Sequence, residues 1–187
     1  MNESKAKELM LKYLKTEHLI KHSLETGAVL RGLAKYFGGD EEFWTACGLL
    51  HDIDLDTIGT DYSKHGITSV ELLRKEGVEE PVLFQAILAH AENLGFVKEK
   101  RSSNLDYALS AGENITGLIA AYVLILPSKK LADVKPSSIL KRLKEKAFAA
   151  KVNRQLISDI EKTGLMKDKF VEIAVSAMQG IAGEIGM

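Results

Sequence analysis

Four histidines and two carboxylates in this chain have the residue types and placement of a metal centre: His22, the adjacent pair His51-Asp52, His65, His90 and Glu113. Imidazole nitrogen and carboxylate oxygen are ligands that divalent transition metals favour, at about 2.0–2.2 Å for zinc. A carboxylate beside a histidine can bind one metal or bridge two. Bridged metals about 3.5–4 Å apart can share an activated hydroxide and steady an in-line phosphoryl displacement. Apart from the His51-Asp52 pair, each candidate falls on a different helix or helix end, the scatter of a site assembled by the fold. Singly, each has a plainer reading. His22 could be a hydrogen-bonded core residue, His51 could complement a helix C-terminus with Asp52 starting a turn, and His65 and His90 could mark a helix start and a helix end.

The neighbours of the pair are weaker candidates. Asp54, Asp56, Asp61 and Lys64 read mostly as solvated loop charges, although Lys64 could meet a substrate phosphate and Asp54 could orient a ligand or a water. His18 and His22 form an i,i+4 pair on one helix face, with His18 read as a surface residue. Cys47 is the only cysteine, which excludes an intrachain disulfide and a cysteine zinc knuckle. It reads as a small core hydrophobe.

The elements that must carry these side chains read as helices. The first covers about 4–15, with Leu9, Leu11 and Leu14 as core contacts. A second should run from about Glu17 to Phe37, with His22, Thr26, Val29 and Leu33 on one inward face. Gly38-Gly39 ends it and Asp40 caps the next, whose Phe43, Trp44, Ala46, Cys47, Leu49 and Leu50 deliver His51-Asp52 at its end. A loop is expected over 54–64. His65 then opens a helix with Ile67, Val70, Leu72 and Leu73 inward, closing at Gly77. Pro81 suits a first turn, and Val82, Phe84, Ile87 and Leu88 are expected inward in the helix that ends with His90. After a charged loop over 94–103, a long apolar helix over 105–126 contains Glu113 and stops at Pro127. Three more helices are expected, over about 137–149, 153–162 and 168–185. Strand-like alternation is absent, so the expected fold is all-α: one domain over 1–187, with a core over 14–126 and a C-terminal helical extension over 127–187.

Composition narrows the function classes. A length of 187 residues suits one domain with a real core. Hydrophobic and charged shares of 45% and 27% are those of a soluble globular protein. A net charge of -1 points to neither nucleic acid nor membrane. Locally, Lys129–Arg154 holds nine Lys or Arg against two acids, either a solvated helix face or a basic wall that attracts an anionic substrate. Phe148 is the one aromatic within it, which argues against a single-strand nucleic-acid platform. The polar start Met1–Lys5 lacks a signal-peptide apolar region. No uninterrupted apolar run approaches the ~18–20 residues needed to span a bilayer. A cytoplasmic protein is expected.

The order H…HD…H…H…acid resembles the HD superfamily of metal-dependent phosphohydrolases. The fragments KHSLETGAVLRGLA, ACGLLHDIDLD, HGITSVELLR, AILAHAE and ALSAGENITGLIAA are similar to its HDIG-type predicted hydrolases, as is the tail KKLADVKPSSILKRLKEKAFAAKVNR. The resemblance implies an HD-domain-like helical bundle and hydrolysis of a nucleotide or other small phosphorylated metabolite by a metal-activated hydroxide, with His51 and Asp52 at the reaction centre. It implies one or two divalent ions (Fe, Mn, Ni, Co, Zn or Mg are not distinguished). His22, His51 and Asp52 would hold the first; His65 and His90 would hold the second, with Asp52 as the bridge. The family's last ligand is an aspartate where this chain has Glu113, one methylene longer; Asp106, about two turns earlier, is the fallback. Ala91 stands where HD-GYP phosphodiesterases have a second tandem histidine, and the GYP signature is missing, which disfavours cyclic dinucleotides. Asp54 replaces the Gly of HDIG. The same ligand set also resembles mixed-valent di-iron HD oxygenases, and a degenerate site would leave a metabolite-binding protein. A small phosphorylated substrate is the expected partner, with homodimerisation open and no nucleic acid or membrane expected.

Overall fold

The computed structural model describes Met1–Met187 and contains helices and turns without a strand. Helix α1 (Glu3–Tyr13) is capped by the Asn2 side chain on the Lys5 amide and buries Ala6, Leu9 and Met10. Helix α2 (Glu17–Phe37) is the axis of the bundle, packed against three later helices. It stops at Gly38, whose φ of +70° places it in the left-handed region that glycine adopts without strain. Asp40 accepts the Phe43 amide and starts α3 (Glu41–Leu50), where every residue from Trp44 to Leu50 is buried.

The contact between α2 and α3 is backbone against backbone. A Cβ built on Gly48 would lie 2.6 Å from the Gly27 nitrogen, so only glycine lets these axes come so close. Gly48 lies one turn before His51 and Gly27 little more than one turn after His22. That approach brings the two histidines within reach of each other.

Beyond His51 the expected loop is partly helical: α4 (Leu55–Ile58) is a single turn, and Tyr62–Lys64 forms a 3-10 turn. The Asp56 carboxylate accepts the Lys15 and Thr16 amides at 2.6 and 2.9 Å and so helps cap the start of α2. Helix α5 (Ile67–Lys75) and helix α6 (Pro81–His90) follow, the latter with Pro81 in its first turn. Helix α7 (Asn104–Ile125) opens with a reciprocal capping box between Ser103 and Asp106. The chain closes with α8 (Pro136–Lys144), α9 (Arg154–Ser158), α10 (Lys167–Gly180) and the one-turn α11 (Ala182–Ile185). Helices α3, α7 and α10 surround α2, and α7 also packs against α6 and α9. One apolar cluster runs from Ala6 to Ile185 and includes Leu131, Ile139, Ile157, Phe170 and Met178 from the C-terminal helices.

Several sequence expectations change. Leu11, Ile67 and Val82 are exposed, and Leu83 rather than Val82 turns inward on α6. That helix is apolar nearly all round, so periodicity could not choose its face. The helix expected over 137–149 stops at Lys144. The turns that follow are held by the Arg154 guanidinium, which donates to the carbonyls of Leu143, Glu145, Phe148, Ala149 and Val152. These bonds stand in for the ones a continued helix would have made. Helix α7 is long and apolar enough to cross a bilayer by length and composition, despite the acids within it. Here that apolarity faces α2, α6 and α9.

Candidate metal centre

His51 follows the last residue of α3, and its Nδ1 donates to the Gly48 carbonyl at 2.8 Å. His90 ends α6 and its Nδ1 donates to the Ile87 carbonyl, the same i−3 arrangement. His65, just before α5, donates from Nδ1 to Asp54 at 3.0 Å. His22, on α2, donates from Nδ1 to the Thr116 hydroxyl at 3.3 Å, which in turn donates to the Glu113 carbonyl at 2.7 Å. With four Nδ1 protons committed, each ring presents an Nε2 lone pair when it is neutral. All four Nε2 atoms lie 3.3–3.7 Å from the Asp52 carboxylate.

Asp52 divides this cluster. Its Oδ2 faces Nε2 of His51 at 3.3 Å and of His22 at 3.7 Å. Its Oδ1 faces Nε2 of both His65 and His90 at 3.4 Å. Glu113 reaches the first half, its Oε2 standing 3.9 Å from His51 Nε2. Two groups result, His22-His51-Glu113 and Asp52-His65-His90, each with its donor atoms within 4.8 Å of one another. His51 Nε2 is buried without a hydrogen-bond partner, a costly state for a polar atom unless something else fills the role. This orphaned nitrogen, with carboxylate oxygens around it, fits a divalent cation.

The electrostatics follow from burial and crowding. Burial and the neighbouring His51 push His22 down to about 4, against the pull of Asp52. Burial also opposes protonation of His51, but Asp52 and Glu113 outweigh it and raise its pKa to about 9. Burial works against ionisation of Asp52, yet His51, His90 and His22 hold it well below the usual carboxylate range. Burial raises the pKa of Glu113, helped by Asp52 and opposed by His90 and His51. The cluster thus gathers a charge imbalance around Asp52 that a cation would reorder.

The partners outside the cluster were only partly legible. Asp54 is fully buried and takes the Gly66 amide at 2.7 Å and the Ser69 amide at 3.3 Å besides His65. It is the orienting group beside a histidine that such sites use. Asn114 donates to Glu113 Oε1 at 2.8 Å, and its own oxygen accepts the Asn153 amide at 3.0 Å. Thr116 and Asn114 were missed as partners. The available signal was the i+3 spacing of Thr116 from Glu113 on one helix.

Several candidates lie outside the cluster. Asp106 spends its carboxylate on the Ser102 and Ser103 amides at 3.0 Å each, so it is a helix cap and not the fallback ligand. Lys64 is exposed and pairs with Asp61 at 2.9 Å, and the structure does not bring its ammonium into the cluster. His18 is exposed, as expected. Cys47 is fully buried and its thiol is pushed up by that burial, which makes it a poor nucleophile.

The opening of the site follows from exposure. The side chains of His51 and His90 are 0% and 2% exposed, whereas those of His22 and Glu113 are 23% and 19% exposed. Solvent reaches the cluster over the His22–Glu113 edge.

The model of the HD domain family matches residues 19–111, a span that holds His22, His51, Asp52, His65 and His90 and ends before Glu113. The match supports membership of the HD superfamily and the metal-dependent, hydrolase-type function that the domain suggests. Neither a curated protein nor a solved structure matches the chain.

Proposed function

From an HD-domain match over residues 19–111, we propose that this chain is a metal-dependent phosphohydrolase of the HDIG-type branch, acting on a small phosphorylated metabolite. The observation that carries the reading is the division of Asp52, with one oxygen toward His22 and His51 and the other toward His65 and His90. This suits two divalent ions: His22, His51 and Glu113 with one Asp52 oxygen would hold one, and His65 and His90 with the other oxygen would hold the second. Bound there, divalent ions supply a Lewis acid for the phosphoryl oxygens and make water nucleophilic near neutral pH.

The chain's own residues supply the rest. The Nδ1 partners fix each imidazole as a lone-pair donor, and Asp54 locks the His65 ring while adding negative character to it. Asn114 steadies one oxygen of Glu113 and leaves the other directed at His51. The Ser69 hydroxyl is spent on the His51 carbonyl and the Thr116 hydroxyl on the Glu113 carbonyl. The His22–Glu113 edge would admit the phosphate, while the deeper imidazoles stay shielded from solvent.

The test is metal analysis of protein purified without added metal or chelator, followed by reconstitution and a phosphate-release screen. The expected result is about one to two ions per chain and metal-dependent phosphate release. About two irons with oxygen uptake and no phosphate release would replace the hydrolase with a di-iron oxygenase. Less than about a tenth of an ion per chain after reconstitution would remove the ligand assignment.

A further inference from the structure

A cavity of about 300 Å³ lies against the exposed edge of the cluster, between α2 and α7. His22 lines it and so belongs to both the cavity and the ligand group around Asp52. The α2 side presents His18, Lys21, His22 and Glu25, at i, i+3, i+4 and i+7, one continuous helix stripe. The α7 side presents Gly117 and Ala120. Their small size leaves the space open. A Cβ on Gly117 would stand 3.6 Å from Val152, an ordinary contact, so packing does not demand glycine there.

Glu25 is the unexplained group. It is 4% exposed and lines the cavity, yet it forms no hydrogen bond or ion pair. Lys21, one turn away, is taken up by Glu17 at 2.9 Å. Burial raises the Glu25 carboxyl to about 7, against the influence of Lys21. The carboxyl oxygens keep contact with solvent, so a ligand that excludes water from the cavity must bring a hydrogen-bond donor to them.

We propose that this cavity holds the organic part of the substrate while the phosphate lies at the Asp52 cluster, and that Glu25 selects a skeleton bearing hydroxyl groups. The assignment rests on the phosphohydrolase reading for the placement of the phosphate. The hydroxyl class follows from Glu25 alone, which a donor would satisfy, because Leu19, Gly117, Ala120 and Met187 make the rest of the wall apolar; Lys21 and His18 on the same stripe disfavour a second cation. Size follows from volume, since about 300 Å³ is the small end of ligand pockets. A polyol- or sugar-like phosphate ester of few carbons fits this description.

The test uses two phosphonates that differ only in hydroxyls, 3,4-dihydroxybutylphosphonate and butylphosphonate, with inorganic phosphate as reference. Each is titrated calorimetrically into metal-loaded protein. The diol is expected to bind at least about tenfold more tightly than the alkyl compound. Glu25→Leu should abolish that preference with metal content unchanged. Ala120→Leu, filling the cavity from α7, should weaken both phosphonates and leave inorganic phosphate unaffected. Equal or unmeasurable binding of the two phosphonates to the wild type overturns the proposal, as does a preference that survives in Glu25→Leu. A diol preference in a protein that releases no phosphate from any ester would sink the hydrolase reading and keep the cavity assignment. Phosphate release without the preference would do the reverse.

Discussion

The Nε2 atoms of His65 and His90 face each other at 3.0 Å, although each ring has given its Nδ1 proton to another acceptor, Asp54 for His65 and the Ile87 carbonyl for His90. Two neutral lone pairs at that distance repel unless a cation or an added proton relieves them. A cation shared by the pair and Asp52 does so directly. Metal removal should therefore cost stability as well as activity. With metal at about a thousand times its Kd, the folded state gains about 4 kcal/mol, so chelator-treated protein should melt several degrees lower and recover on reconstitution. An identical Tm with and without metal would contradict this.

Asp54 acts on that pair from behind. Asp54→Asn turns one end of the side chain into a donor that faces the Gly66 and Ser69 amides or His65 Nδ1. We expect metal affinity at the His65–His90 half to fall about 10–100-fold, with one ion lost before the other in a chelator competition. Stability should drop by about 1–3 kcal/mol from the mismatched buried amides. Unchanged affinity at both positions would show that Asp54 only ties the turn to α5.

The close approach of Gly48 to Gly27 predicts a structural route to the same failure. Gly48→Ala places a methyl 2.6 Å from the Gly27 nitrogen, so α3 must move away from α2. A destabilisation of about 1–3 kcal/mol is expected from overpacking. Because α3 carries His51 and α2 carries His22, metal content should fall even at temperatures where the variant stays folded. Gly180→Ala, with open space around its Cβ, is the control and should affect neither property.

Glu25 gives a prediction in pH. Its carboxyl is raised from 4.5 to about 7 by burial, so between those values the folded state binds more protons than the unfolded state. Its contribution is then fully present below about pH 4.5 and is lost as pH rises through about 7, a change on the order of 3 kcal/mol. Relative to the wild type, Glu25→Gln should gain stability as pH rises from 5 to 8, as measured by urea unfolding. A difference that is flat over this window would mean the carboxyl is not desolvated as its burial indicates.

Legibility in the sequence differed by type of interaction. Helix limits set by local chemistry were readable: Asp40 before α3, Pro81 in α6 and the glycine turn at Gly38 act within a few residues of themselves. Inward faces were readable where polar residues marked the opposite side, as on α2, and failed on α6, where they did not. The family match covers the histidines but says nothing of Glu113, which only the course of α7 carries to the cluster.

The sequence by itself determined which residues could serve as ligands, an all-helical architecture and a resemblance carried by short motifs, because side-chain chemistry and helix propensity are local properties. Tertiary structure alone decided that Asp52 faces two histidine pairs and that Asp106 is spent on a helix cap. It also decided that Lys64 stays in solvent and that Glu25 lines a cavity beside His22. Those outcomes depend on which helices approach and at what distance. The approach is set by long-range contacts such as Gly48 on Gly27, which pairs residues that no local pattern connects.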